Sequence, residues 1–250
     1  MAVRSEAQLA LDNARLRAEL ERRESEAAAK ERQLERYGAD LRETFKRERS
    51  RSQELTQAYM AAVRALSNAV EARDAYTGKH AGRVAAYGLE LVRALELPLD
   101  QPGLEFGFLL HDIGKVAIPD AILRKPGSLT SDERATMAQH PVIGYELLRE
   151  IEFLSDDAAA IVRSHHERWD GNGYPDGLAG EQIPLAARAF AVADVFDALT
   201  SDRPYRPAWT MARARAKIVH ESGGQFDPAV VEAFSMIDDV VFERIQERAA

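Results

Sequence analysis

The chain has 250 residues, 46% of them hydrophobic, enough for a sizeable core. Its 33 Lys and Arg are outnumbered by 41 Asp and Glu, and a net charge of -8 excludes a general duplex-DNA binder, whose affinity comes from neutralising phosphates. With no cysteine, disulfides and thiolate metal sites are excluded as well, so any metal must be held by His, Asp and Glu.

Residues 1–58 contain one glycine, Gly38, and no proline, whereas all ten prolines and the other fourteen glycines lie beyond. This shift predicts two parts, a helical or coiled-coil segment over 1–58 and a domain over 59–250. In the first part thirteen Lys/Arg nearly cancel twelve Asp/Glu, with opposite signs three or four residues apart, as an exposed helix prefers. A heptad stripe runs through Leu9, Leu16, Leu20, Ala27, Leu34, Tyr37, Leu41, Leu55, Ala58, Ala62 and Ala65. Arg23, Lys30, Thr44, Glu48 and Arg51 interrupt the seam. The expectation is a parallel homodimeric coiled coil; the alternative is a helix packing back on its own domain. No window approaches the ~18 apolar residues of a membrane span. Met1-Ala-Val-Arg-Ser-Glu also lacks the apolar core of a signal peptide, so a cytoplasmic location without membrane attachment is expected.

Beyond residue 58 the apolar spacing is helical throughout and no stretch alternates as a half-buried strand would, which predicts an all-α bundle. The expected helices cover 59–76, 79–96, 102–113, 131–139, 141–151, 156–167, 185–200, 210–221 and 228–247. Thr130 with Glu133 forms a capping box, and Asp100 suits a cap before Pro102. Gly171, Gly173, Gly177 and Gly180 between Asp170 and Pro184 predict a tight irregular loop.

Five of the six histidines, His80, His111, His140, His165 and His166, fall in one 87-residue stretch. His111 and Asp112 end an apolar helix and are adjacent. Adjacent helical residues point about 100° apart, so both reach one site only over the helix end or through a bridging carboxylate. Alone, such a pair signifies little, since histidine suits any helix C-terminus. His80, His140, His165, His166, Asp194 and Asp197 add donors on separate expected helices, and seven or eight donors exceed the needs of one ion.

These residues lie in Glu71-Ala-Arg-Asp-Ala-Tyr-Thr-Gly-Lys-His80, His111-Asp-Ile-Gly-Lys115, His140-Pro141, His165-His-Glu-Arg-Trp-Asp-Gly-Asn-Gly-Tyr-Pro175, Ala193-Asp-Val-Phe-Asp-Ala-Leu-Thr-Ser-Asp-Arg-Pro-Tyr-Arg206 and Gly224-Gln-Phe-Asp-Pro228. Over about residues 60–245 the sequence resembles the HD-GYP phosphohydrolases, bacterial enzymes of the HD superfamily that hydrolyse cyclic di-GMP.

The resemblance implies an HD-type helical bundle and a dinuclear site. Its metal ligands would be His80, His111, Asp112, His140, His165, His166 and Asp194, with Asp112 bridging. It implies iron or manganese, although nickel, cobalt and zinc also suit imidazole and carboxylate donors. Water activated between the ions would attack phosphorus and open the substrate to the linear dinucleotide, with GMP as a further product. Lys115 would contact a phosphate oxygen beside the catalytic Asp112, and Tyr174, Arg203 and Arg206 would hold the nucleotide. Some members carry glutamate at the place of Tyr76 and hold a third metal with it, so tyrosine there favours two ions. Glu167, Asp170 and Asp197 read as groups that orient the ligands and fix the loop, and His220 as an ordinary helix-end histidine. The alternatives are an HD phosphohydrolase for another nucleotide, and a non-catalytic cyclic di-GMP sensor or docking module. The input signal is expected from a separate signalling partner or from a longer regulator of which this chain is a part.

Overall fold

Between Gly38 and Gly78 the sequence holds neither glycine nor proline, and a single helix, α1 (Glu6–Glu71), occupies nearly all of that stretch. This is seen in a computed structural model that describes residues 6–73, 79–96, 101–151, 154, 156–202 and 206–249. The separate helix expected over 59–76 is therefore the end of α1: a shift in composition is not a break when no residue interrupts the backbone hydrogen bonds. Chain contacts divide into two units, residues 1–58 and 59–250. In the first, α1 exposes its apolar stripe and is laced by pairs such as Arg22–Glu26 and Arg47–Glu43. In the second, its last turns bury Val63, Ser67, Val70 and Glu71.

The second unit continues through α2 (His80–Ala94), α3 (Gln101–Leu109), a 3-10 turn over Ile113–Ala117, α4 (Asp120–Leu123), α5 (Ser131–Met137) and α6 (His140–Leu148). It is completed by α7 (Asp156–Ser164), a 3-10 turn over Gly180–Gln182, α8 (Leu185–Thr200), α9 (Met211–His220), α10 (Pro228–Met236) and α11 (Asp239–Ala249). No strand occurs among the described residues. Thr130 and Glu133 cap α5 reciprocally, while Tyr76, Asp100 and Arg203 lie outside the described residues.

The fully buried α8 face (Ala189, Phe190, Ala193, Phe196) packs against α2, which places Phe196 edge-on to Tyr87 at 5.3 Å. Phe234 and Phe242 complete this aromatic centre. Each fully buried aromatic side chain contributes roughly 1.5–3 kcal/mol, so the aromatic centre is a principal source of stability.

Several helix ends differ from the expectation. The run 228–247 is two helices, broken at Ile237 (φ -74°, ψ 128°). Arg215 of α9 donates to the carbonyls of Phe234 and Ile237 and pairs with Asp239 at 2.6 Å, so a side chain from elsewhere supports both new ends. Likewise the helices expected to reach 113 and 167 stop at Leu109 and Ser164, which leaves His111-Asp112 and His165-His166 in the turns that follow.

Candidate metal centre

A helix C-terminus leaves its last carbonyls without intrahelical partners, and three such carbonyls orient imidazoles. His111 Nδ1 donates to Phe108 O at 2.9 Å, His140 Nδ1 to Met137 O at 2.8 Å and His165 Nδ1 to Val162 O at 2.8 Å. A carbonyl only accepts, so each Nδ1 carries the proton and each Nε2 lone pair faces inward. His80 and His140 begin α2 and α6, and Asp194 projects from α8.

The donors form two groups, within each of which the ligand atoms all lie within 4.8 Å of one another. One is His80, His111 and Asp194; the other is Asp112, His140, His165 and His166. Asp112 faces both, with Oδ2 3.1 Å from His111 Nε2 and Oδ1 3.2 Å from His140 Nε2. A test of fit comes from His140 and His165, whose Nε2 atoms lie 3.2 Å apart. Both rings already donate through Nδ1, so two lone pairs face each other, an arrangement that a cation relieves. The sulfur-free set suits a divalent transition metal, and these residues could hold two ions.

Electrostatics divides the donors. Burial disfavours charge on His80, but Asp194 at 3.3 Å and Asp197 at 2.7 Å outweigh it and raise its pKa to about 10. Burial and then the neighbouring His140 push His166 down to about 3. His165 lies well below the ordinary histidine value through burial and His166. The Asp112 carboxyl is held well below its usual range: burial opposes its charge, yet Lys115, His111 and His140 prevail. Lys115 Nζ stands 2.8 Å from Asp112 Oδ2. Asp112, Asp194 and Lys115 line a cavity of about 290 Å³ with His80, His111 and His166.

The surrounding shell is built from Asp197, Glu167 and two glycines. Asp197, buried one turn beyond Asp194, accepts from His80 Nδ1 and from Arg83 Nε and Nη2 at 2.6 and 3.0 Å. Arg83 escaped the sequence reading; its only signal is its position three residues after His80. Buried Glu167 accepts from the backbone of Asp176, Gly177 and Leu178, which folds the glycine-rich loop back on itself. Asp170 accepts from Arg168 and from the Asn172 N–H. A Cβ on Gly173 would lie 2.4 Å from Arg168 N, so only glycine lets the loop return this closely. Tyr174 thereby stacks on His166, with centroids 4.7 Å apart and planes at 29°. Burial, then Asp112, pushes its phenol up to about 12, so it remains a hydrogen-bond donor. At Gly114 a Cβ would fall 1.9 Å from His140 O, and its absence brings the Asp112 turn against α6.

The structure thus gathers all seven candidate ligands with Lys115 and Tyr174. Arg206 is engaged differently: its guanidinium donates to the carbonyls of Ala198 and Leu199 at the end of α8 and lies 5.2 Å from the Trp209 ring centroid. His220 is exposed in the last turn of α9.

Residues 64–230 match the family model described as HD domain. The chain is 48% identical over 171 residues to the cyclic di-GMP phosphodiesterase response regulator RpfG of Xanthomonas campestris, covering 67% of this chain and 45% of that protein. It is 44% identical over 169 residues to the 3'3'-cGAMP-specific phosphodiesterase 2 of Vibrio cholerae, covering 67% and 32%. The chain spans less than half the length of these curated relatives. A solved HDG"Y"P protein from Bdellovibrio bacteriovorus superposes with a TM-score of 0.54 over 74% of this chain and 64% of that one, at 20% identity, which shows a shared fold. No helix among the described residues is long and apolar enough to cross a membrane.

Proposed function

The chain belongs to the HD domain family, of the HD-GYP type, and from that premise we propose that it is a metal-dependent phosphodiesterase hydrolysing cyclic di-GMP to the linear dinucleotide, with GMP as a further product, in the cytoplasm. The observation that carries this reading is the position of Asp112, one oxygen toward each donor group. We assign His80, His111 and Asp194 to one ion and His140, His165 and His166 to the other, with Asp112 shared, and expect iron or manganese. When bound, such a pair activates water near neutral pH and neutralises charge developing on phosphorus.

The chain's own groups would do the rest. Lys115, beside Asp112, supplies a cation for a non-bridging phosphate oxygen. Tyr174, protonated and stacked over His166, presents a donor and an aromatic face to the nucleotide. Arg203 and Arg206 are proposed as further nucleotide contacts; for Arg206 this requires release of the Ala198 and Leu199 carbonyls. The exposed leucines of α1, from Leu9 to Leu55, support homodimerisation through that helix. A separate signalling partner is proposed as the source of input.

The similarity to a cGAMP-specific relative favours 3'3'-cGAMP as a second reading of the substrate. Turnover of the two cyclic dinucleotides by the same Mn(II)-loaded preparation decides between them. Faster hydrolysis of cyclic di-GMP is expected, and preference for 3'3'-cGAMP would replace the first reading with the second.

A further inference from the structure

α2 begins without a local cap. The residue before it, Lys79, is in the left-handed region (φ 77°), where a side chain is disfavoured, and makes no side-chain capping bond. The first N–H groups of a helix need acceptors, normally from Ser, Thr, Asp or Asn at that position. Here the acceptor comes from another helix. Glu71, the last residue of α1, accepts from Ala81 N through Oε1 at 2.5 Å and from Lys79 N through Oε2 at 3.2 Å. Its side chain is buried on the wall of the metal cavity.

The residue between these two gripped amides is His80, whose ring is held between Asp194 and Asp197. Fixing the backbone on both sides of His80 fixes where its ring begins, and a misplacement of the backbone would carry the ring out of reach of His111 and Asp194. The other donor group depends on different supports: Met137 O, Val162 O and the Gly114–His140 contact. Glu71 touches none of these.

We propose that Glu71 is a positioning residue that assembles the His80–His111–Asp194 half-site by capping α2 from outside, leaving the Asp112–His140–His165–His166 half-site independent of it. This rests on the two-ion reading above. It means that the end of α1 supports one metal site and not its neighbour, so a displacement of that helix end would switch the centre between two ions and one.

The test titrates metal-free full-length protein with Mn(II), measuring stoichiometry by calorimetry and the coupling of the ions by electron paramagnetic resonance. Wild type should bind two ions with an exchange-coupled spectrum. Glu71→Ala should keep one ion at near wild-type affinity, weaken the other by roughly 10–100-fold and show a single-ion spectrum. Glu71→Gln, which retains one accepting oxygen, should fall between and serves if Glu71→Ala fails to fold. Two ions bound as tightly as in wild type by either variant, or equal weakening of both sites, would overturn the inference. Fewer than two ions in wild type would instead overturn the two-ion reading on which it rests.

Discussion

Asp112 Oδ2 lies 3.1 Å from His111 Nε2 while its Oδ1 lies 3.2 Å from His140 Nε2, so one carboxylate faces both donor groups. Replacing it should damage both ion positions at once. Asp112→Ala is expected to lower bound metal below one ion per chain and to reduce turnover by more than the roughly 10–100-fold that follows loss of an outer partner. Metal analysis on the folded variant checks this; two retained ions would remove Asp112 from the bridge.

Asp197 acts one step further out. Its carboxylate accepts one hydrogen bond from His80 Nδ1 and two from Arg83. Asp197→Asn should keep the helical fold, judged by circular dichroism, and weaken metal binding about 10–100-fold. Unchanged affinity would show that His80 is oriented without it.

Two glycines give opposite expectations for the same substitution. At Gly114 a Cβ would meet His140 O at 1.9 Å, so Gly114→Ala must push α6 away from the Asp112 turn. Lower melting temperature and lost metal are expected. Gly82, inside α2, has open space where its Cβ would go, and Gly82→Ala should stabilise by about 0.5–1 kcal/mol through helix propensity. Thermal denaturation of both variants is the check.

Lys115 should serve substrate more than metal. Lys115→Met removes a charge-assisted bond of about 1.5–3 kcal/mol, which corresponds to roughly ten-fold to a hundred-fold weaker binding of a phosphate-bearing substrate analogue. Metal content should stay at the wild-type value. Analogue binding unchanged by the substitution would place the phosphate elsewhere.

Much of the chemistry was legible because it resides in residue types. Histidines and carboxylates are conspicuous against a chain without cysteine, and Asp112 beside His111 already demanded a bridging carboxylate or a site over a helix end. The structure has the second: the pair sits in the turn after α3. What escaped were features set by distant partners. Arg215 supports the break at Ile237 from α9, and Glu71 caps α2 from eight positions before Lys79. Neither leaves a local signal, because a lysine at a helix start or an apolar run through 228–247 reads as ordinary helix until the distant partner is in place.

The stripe of α1 predicts a modest dimer, since Arg23, Lys30 and Glu48 weaken its seam. Sedimentation of the full chain and of a chain lacking residues 1–58 should give a concentration-dependent dimer and a monomer that still binds metal. Two monomers, or two unchanged dimers, would refute a dimerising role.

The central claim, hydrolysis of a cyclic dinucleotide dependent on this centre, is tested most directly by chromatographic product analysis on one preparation in three states: as purified, after chelation, and after reloading with Mn(II) or Fe(II). The account predicts that chelation stops conversion of cyclic di-GMP and that reloading restores formation of the linear dinucleotide. Undiminished turnover by fully chelated protein, or no turnover of any cyclic dinucleotide by protein holding two ions, would contradict it.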